Sequence, residues 1–291
     1  KDETQFYADI WDSISPFIKI GAMEDEKFAE QVKEIILYST TKNTSADNED
    51  TNELIKSGSK TFTTLDAYKN RLTDENKKVL YSTDEVSQST ALNMWTSQGK
   101  EVLKLDTVID TQFIPWLEEK NKEINFVRVD SELDESIKDD SPEIADKDGN
   151  TKSETLKKMI SSALNNEKVT VQVQSLKGEN SPPSLILLPE QMRRINDITA
   201  LMEQKLPGLP EYHNLIINSN HPLIQGLLKL NSNQIVVEGS SKSEESQLAS
   251  DIAIHVYEMA KLSIGGLENK DIAAFQTRNA EVLGKLMQKF V

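Results

Sequence analysis

The sequence predicts an α/β protein: a small three-layer α/β/α subdomain, then an α+β domain that ends in a helical hairpin. Three observations predict it. Short strand-like runs alternate with amphipathic helical patterns over residues 64–129. Alternating valines at 169, 171 and 173 open a second series. Two apolar stripes of helical spacing close the chain, separated by Gly265-Gly266.

Taken in order, residues 5–20 place Phe6, Ile10, Ile14, Phe17 and Ile18 at helical spacing, with Trp11 beside them. Pro16 is expected to kink this helix and Gly21 to stop it. Residues 25–38 read as a second helix with Phe28, Val32, Ile35 and Ile36 inward. Residues 39–60 are polar and read as a loop or disordered insertion. Thr64 then caps a helix over 65–72. Val79-Leu80-Tyr81, residues 101–105 and residues 124–129 read as short strands. Helices over 86–98, with Gly99 at its C-cap, and from Asp110 to about Glu119 lie between them. This order implies mostly parallel strands.

The segment 131–150 holds eight acids and two lysines and reads as an acidic linker between residues 1–130 and a domain over 151–291. In that domain residues 151–164 are a helix, 169–173 and 185–188 strands, 190–204 a helix opened by Pro189, 215–217 a strand and 222–230 a short helix. A polar stretch over 233–243 precedes helices over about 244–263 and 275–290.

Composition narrows the functions available. Asp and Glu outnumber Lys and Arg by 48 to 33, a net charge of −15, which repels nucleic acid and anionic membranes as partners. With no cysteine there are no disulfides or thiolate metal sites, and no apolar run reaches the roughly 18 residues of a membrane span. A cytoplasmic location is expected. The chain opens at Lys1 without an initiator Met, which reads as a segment of a longer protein.

Motifs of catalysis fail one by one. His213, His221 and His255 lack metal-ligand spacing. Asp146-Lys147-Asp148-Gly149-Asn150 misplaces the glycine of a calcium loop. No phosphate-cradling glycine pattern and no nucleophile elbow is present. Asp84-Glu85 reads as a pair complementing a helix N-terminus rather than an acid/base dyad. On residue chemistry the segment is not an enzyme and needs no cofactor or metal of its own.

Two apolar patterns point to partners. Leu248, Ile252, Val256 and Met259, and then Val282, Leu283, Leu286 and Met287, recur at three- and four-residue spacing. They either pack the hairpin on its own domain or join two copies in a four-helix bundle. Met192, Ile195, Ile198, Leu201 and Met202 form a narrow stripe, either core or an adaptable surface for a partner.

Several segments, in one order along nearly the whole chain, resemble the ninety-kilodalton heat-shock chaperone family. They are Phe17 to Asp25, Phe62 to Tyr68, Leu80 to Thr83, Gly99 to Leu103, Ile109-Asp110, Ile216 to Ile224 and Ala260 to Glu268. The resemblance implies the distal middle domain over 1–130 and the C-terminal dimerisation domain over 151–291. The ending Gln288-Lys289-Phe290-Val291 favours the bacterial branch over eukaryotic cytosolic members. It further implies a homodimer through the last two helices, unfolded or partly folded client proteins and co-chaperones as partners, and ATP and Mg in the intact protein but not in this segment. Client contacts are implied for the 190–204 stripe and, near a family tryptophan position occupied here by Gln112, for Phe113 and Trp116. Where the family has Asn-Pro-Asp, this chain has Asn218-Ser219-Asn220, a departure expected to alter only a turn. A dimeric scaffold without chaperone activity is the alternative, and a degenerate nucleotide-fold enzyme the third reading.

Overall fold

The structure, a computed structural model, describes residues 2–42, 54–72, 77–131, 133, 138–139, 151–178, 181–188, 195, 212–232 and 244–288. Most of the acidic linker, the 190–204 helix apart from Ile195, and the stretch 233–243 lie outside the described residues. The chain divides into two compact units, one holding Lys1–Val129 and the other Asp130–Asn196 with Lys205–Val291.

The first unit opens with α1 (Asp2–Glu24) and α2 (Glu26–Val32). α1 contains Pro16 and, contrary to the sequence reading, does not stop at Gly21. Gly21 is needed for a different reason: a Cβ there would come within 2.9 Å of the Phe28 ring. The chain turns at Asp25, whose carboxylate accepts from the amides of Lys27 and Phe28 at 2.8 and 3.1 Å.

Helix α2 is shorter than the periodicity over 25–38 suggests. Leu37–Thr40 forms β1 instead, paired antiparallel with β3 (Lys60–Thr64), which in turn pairs with β2 (Ile55–Ser57). The expected loop over 39–60 therefore carries parts of three antiparallel strands. Leu-Tyr-Ser-Thr and Thr-Phe-Thr-Thr are β-branched and aromatic runs that suit a pleated surface, and partner pairing decides for sheet.

Next come α3 (Leu65–Asn70), β4 (Lys78–Ser82), α4 (Ser89–Ser97), β5 (Leu103–Lys104), α5 (Asp110–Lys120) and β6 (Asn125–Arg128). β4 pairs in parallel with both β5 and β6, and the sheet order is β2-β3-β1-β5-β4-β6. The sheet is thus mixed: the parallel half matches the strand–helix alternation, and the antiparallel half is an addition. Trp95, Tyr68, Tyr81 and Phe113 are its largest fully buried side chains. Their polar ends are anchored where a partner lies in reach: Trp95 Nε1 donates to the Val129 carbonyl at 2.9 Å, and the Tyr68 hydroxyl donates to the Glu101 carbonyl at 2.8 Å.

The interior of this unit also holds an ion pair. Lys19 Nζ from α1 donates to Asp110 Oδ1 at 2.5 Å, both side chains nearly inaccessible. The second carboxylate oxygen of Asp110 accepts from the Thr107 amide and hydroxyl at 3.1 and 2.6 Å. The Lys19 ammonium also lies 5.6 Å from the Phe113 ring centre.

The second unit starts with α6 (Lys152–Leu164), closed at its N-terminus by a reciprocal capping box between Thr151 and Glu154. A three-stranded sheet follows, with β9 (His213–Asn218) between parallel β7 (Val169–Gln174) and antiparallel β8 (Ser184–Leu187). Helices α7 (Pro222–Ser232), α8 (Glu244–Ser263) and α9 (Asn269–Gln288) complete it. α9 begins earlier than the apolar spacing alone predicts. Leu156 and Ile160 of α6, Val171, Leu215 and Ile217 of the strands, Ile224 and Leu227 of α7, and Leu248, Ile252 and Val256 of α8 form one core.

The buried ion pair generates a stability prediction. Asp110→Ala leaves the Lys19 charge uncompensated and is expected to cost about 3–5 kcal/mol, whereas Lys19→Met combined with Asp110→Leu removes both charges and should cost far less. Urea unfolding of the three proteins checks this; a double variant as unstable as Asp110→Ala would show that packing, not charge, sets the cost.

Candidate functional site

The C-terminal hairpin is the first place to look for a partner surface. α8 buries one face made of Leu248, Ala249, Ile252, Ala253, Val256 and Ala260. Three alanines let the helix lie close to its neighbours, and Ser184 Oγ of β8 donates to the Val256 carbonyl at 2.9 Å. Tyr257 stacks on His213 and shares a 3.0 Å hydrogen bond with its Nε2. Burial, with the nearby Glu258 charge, pushes the Tyr257 phenol up to about 12.

α9 is attached differently. Among its described side chains only Val282 is buried. Its remaining hold on α8 is a polar seam. Arg278 pairs with Glu258, Lys285 Nζ with Asp251 at 2.8 Å, and Lys261 with Asp271 at 3.9 Å. Between them the His255 and Phe275 rings stack, 5.3 Å apart and 9° from parallel. Along α8 the charged residues Asp251, Glu258 and Lys261 ascend while their ion-pair partners Lys285, Arg278 and Asp271 on α9 descend, as an antiparallel hairpin requires. On α9 the paired charges Asp271, Arg278 and Lys285 recur every seven residues, opposite Lys261, Glu258 and Asp251 of α8; that repeat is the sequence signal for this seam, and the apolar spacing alone missed it.

The expected dimer residues therefore separate. Leu248, Ile252, Val256 and Val282 are buried within their own unit. Met259, Leu283 and Met287 are exposed, the last two at 54% and 61%, joined by Leu262 and Ile272. The Leu286 side chain lies outside the described residues.

The expected client residues separate too. Phe113 is fully buried, between Trp116, stacked on it at 5.2 Å, and the Lys19 ammonium, so nothing can touch it while α5 stays folded. Trp116 is half-buried and borders a cavity of about 250 Å³ rimmed by Glu26, Lys69 and Lys120. Gln112 beside it is exposed. Of the 190–204 stripe, Ile195 is exposed, and Met192, Ile198, Leu201 and Met202 lie outside the described residues.

The three histidines serve three separate roles. His213 pairs with Tyr257, His255 stacks on Phe275, and His221 Nδ1 accepts from the Leu223 amide at 3.1 Å at the start of α7. Asp84 accepts from the amides of Val86 and Ser87 in the turn before α4. Among the described residues no group of three or more acidic or histidine side chains is placed to hold a metal ion, and no helix is long and apolar enough to cross a membrane.

The seam predicts a pH dependence. Burial depresses the pKa of His255, Glu258 opposes this and Arg278 reinforces it, with a net shift downward. The folded state then favours neutral imidazole. The stabilisation is complete above the unfolded value of roughly 6.5 and is lost as pH falls below it. His255→Gln should lose less thermal stability than the parent between pH 7.5 and pH 5.5. Parallel melting curves across that range would remove His255 from the account.

Comparison with known proteins bears on what this arrangement serves. The family model described as Hsp90 protein matches residues 1–289. A protein named Chaperone protein HtpG from Porphyromonas gingivalis is 29% identical over 245 residues, covering 78% of this chain and 32% of that protein. Its namesake from Bacteroides thetaiotaomicron is 27% identical over 243 residues, with the same coverage. The one from Chlorobium chlorochromatii is 24% identical over 293 residues, covering 97% of this chain and 41% of that protein. The chain thus spans about a third of the length of the first two. With a family model matched from one end to the other, over both units and the hairpin, the chain belongs to the Hsp90 protein family.

Proposed function

We propose that this chain is the dimerising and client-engaging segment of an ATP-dependent molecular chaperone. The observation that carries the reading is the C-terminal hairpin: α9 is fastened to α8 by ion pairs and one aromatic stack, while Ile272, Leu283 and Met287 stay exposed on α9 and Met259 and Leu262 on α8. An apolar stripe on a helix that its own unit does not cover is satisfied by a second copy, and a two-fold bundle buries both stripes together. Family membership and the chaperone names of the relatives support the same reading.

Client contact is assigned to Trp116 at its charged rim and to the 190–204 stripe. ATP and Mg belong, in this reading, to the part of the longer protein that corresponds to the remaining two-thirds of the relatives' length. A dimeric scaffold without chaperone activity would share the hairpin but would not protect unfolded proteins.

Leu283→Asp with Met287→Asp places two unpaired carboxylates in the proposed seam while changing only exposed side chains. Sedimentation should show dimers for the parent at micromolar concentration and folded monomers for the variant; equal dimerisation of both would refute this interface. Met192→Ser with Met202→Ser should weaken suppression of the aggregation of a denatured protein at least severalfold and leave the dimer intact. A parent that gives no suppression would favour the scaffold.

A further inference from the structure

Helix α1 has two opposite faces. Ala8, Trp11, Ser15, Lys19 and Ala22 are turned inward, and Phe6, Ile10, Ser13, Phe17 and Ile20 follow the i, i+4, i+7, i+11, i+14 spacing of one outward stripe. Phe6 is 65% and Phe17 75% exposed, Ile20 is exposed and Ile10 half-buried. Two phenylalanines and an isoleucine on one face, about 21 Å from end to end at 1.5 Å per residue, exceed the scattered apolar residues of an ordinary surface.

Beside the stripe α1 presents carboxylates and no exposed cation of its own, and Lys60 reaches Asp12 from β3. α1 carries Glu3, Asp9, Asp12 and Glu24, and its single cation, Lys19, is buried against Asp110. Asp9 accepts from the Ser57 hydroxyl at 2.6 Å and Asp12 pairs with Lys60 at 2.5 Å, whereas Glu3 and Glu24 stay exposed. Beside the N-terminal turns of α1 lies an apolar notch of about 320 Å³, lined by Tyr7, Ile35, Leu37 and Ile55 together with the exposed residues Glu3 and Glu34. The Tyr7 hydroxyl is buried without a hydrogen-bond partner.

We propose that the outward face of α1 and its adjoining notch form a docking surface for basic, apolar-rich polypeptide segments. Leu, Ile or Phe side chains of the partner pack on Phe6, Phe17 and Ile20. A Lys or Arg enters the notch with its methylene stem against Ile35 and Ile55 and its charged head between Glu3 and Glu34. Charge complementarity selects this occupant: a neutral apolar partner would leave the flanking carboxylates unused, and an acidic one would be repelled. The inference adds a class of client to the chaperone reading, at a surface separate from the dimerising hairpin.

The test uses a fluorescent 20-residue peptide of Leu and Lys, an analogue with Glu in place of Lys, and the parent chain with two variants, Phe6→Ser/Phe17→Ser and Glu3→Gln/Glu34→Gln. All four substituted side chains, Phe6, Phe17, Glu3 and Glu34, are exposed, and circular dichroism checks the fold. The Lys peptide should bind in a salt-dependent way. The serine variant should bind it at least 10-fold more weakly, and the glutamine variant should bind it more weakly with a shallower salt dependence. Equal affinity in parent and variants, or equal binding of the Glu peptide, would overturn the proposal. A photocrosslinking residue at position 17 should join to the Lys peptide; a crosslink that instead joins two copies of the chain, or two parts of one chain, would overturn it as well. Suppression of aggregation of a denatured acidic protein is measured in parallel. If it persists while the peptide result is negative, this inference alone fails; if it is absent, the chaperone reading fails, whatever the peptide shows.

Discussion

Two opposite charges in the interior of the first unit set the orientation of its longest helix. Lys19 can be buried only where a carboxylate meets it, and Asp110 meets it at the N-terminus of α5. That requirement turns the Trp11, Ser15, Lys19 face of α1 inward, with Tyr7, Ile14 and Ile18 packed at its side, and leaves Phe6 and Phe17 outside. Small residues, Ala8, Ser15 and Ala22, let the helix settle close to the sheet around the pair. The pair also shapes its surroundings: it places an ammonium over the Phe113 ring, and burial, reinforced by the Asp110 charge, pushes the Tyr38 phenol well above its usual range.

The second unit uses the reverse arrangement. Its main core cluster is apolar, with Ser184, His213 and Asn218 among the buried polar side chains near it, and ion pairs fasten α8 to α9 at the seam between them. Such a seam fastens one helix to another without spending its apolar side chains, so Ile272, Leu283 and Met287 remain outside. A helix with one buried residue among those described is held weakly by packing alone. The ion pairs and the His255–Phe275 stack supply register, and a partner would supply the missing burial.

Much of this was legible in the chain. The strand–helix alternation over 78–128, the Thr64 cap, the Val169–Val173 alternation and the two closing helices each follow from a local pattern that tertiary packing did not oppose. The antiparallel strands over 37–64 were not legible, because a run such as Leu-Tyr-Ser-Thr suits helix end and strand alike until a partner strand is present. The ordered set of family-like segments was equally legible, and it pointed to the family that the whole-chain match establishes.

The candidate sites divide in the same way. Apolar spacing identified which helices carry stripes, since a 3.6-residue period is a local property. Which side of each stripe meets the core is a property of neighbours. Leu248, Ile252 and Val256 belong to the same period as Met259, yet the first three meet α6 and the sheet and the last meets solvent. Phe113 and Trp116 are three residues apart and their rings stack, yet Phe113, under the Lys19 ammonium, is fully buried and Trp116 only half-buried. The sequence by itself determined the parallel strands, most of the helices, the family and the existence of the stripes; the tertiary structure decided the antiparallel strands and the rotation of the stripes, because burial energy depends on what lies opposite a side chain and a charge in the interior admits one partner and one orientation.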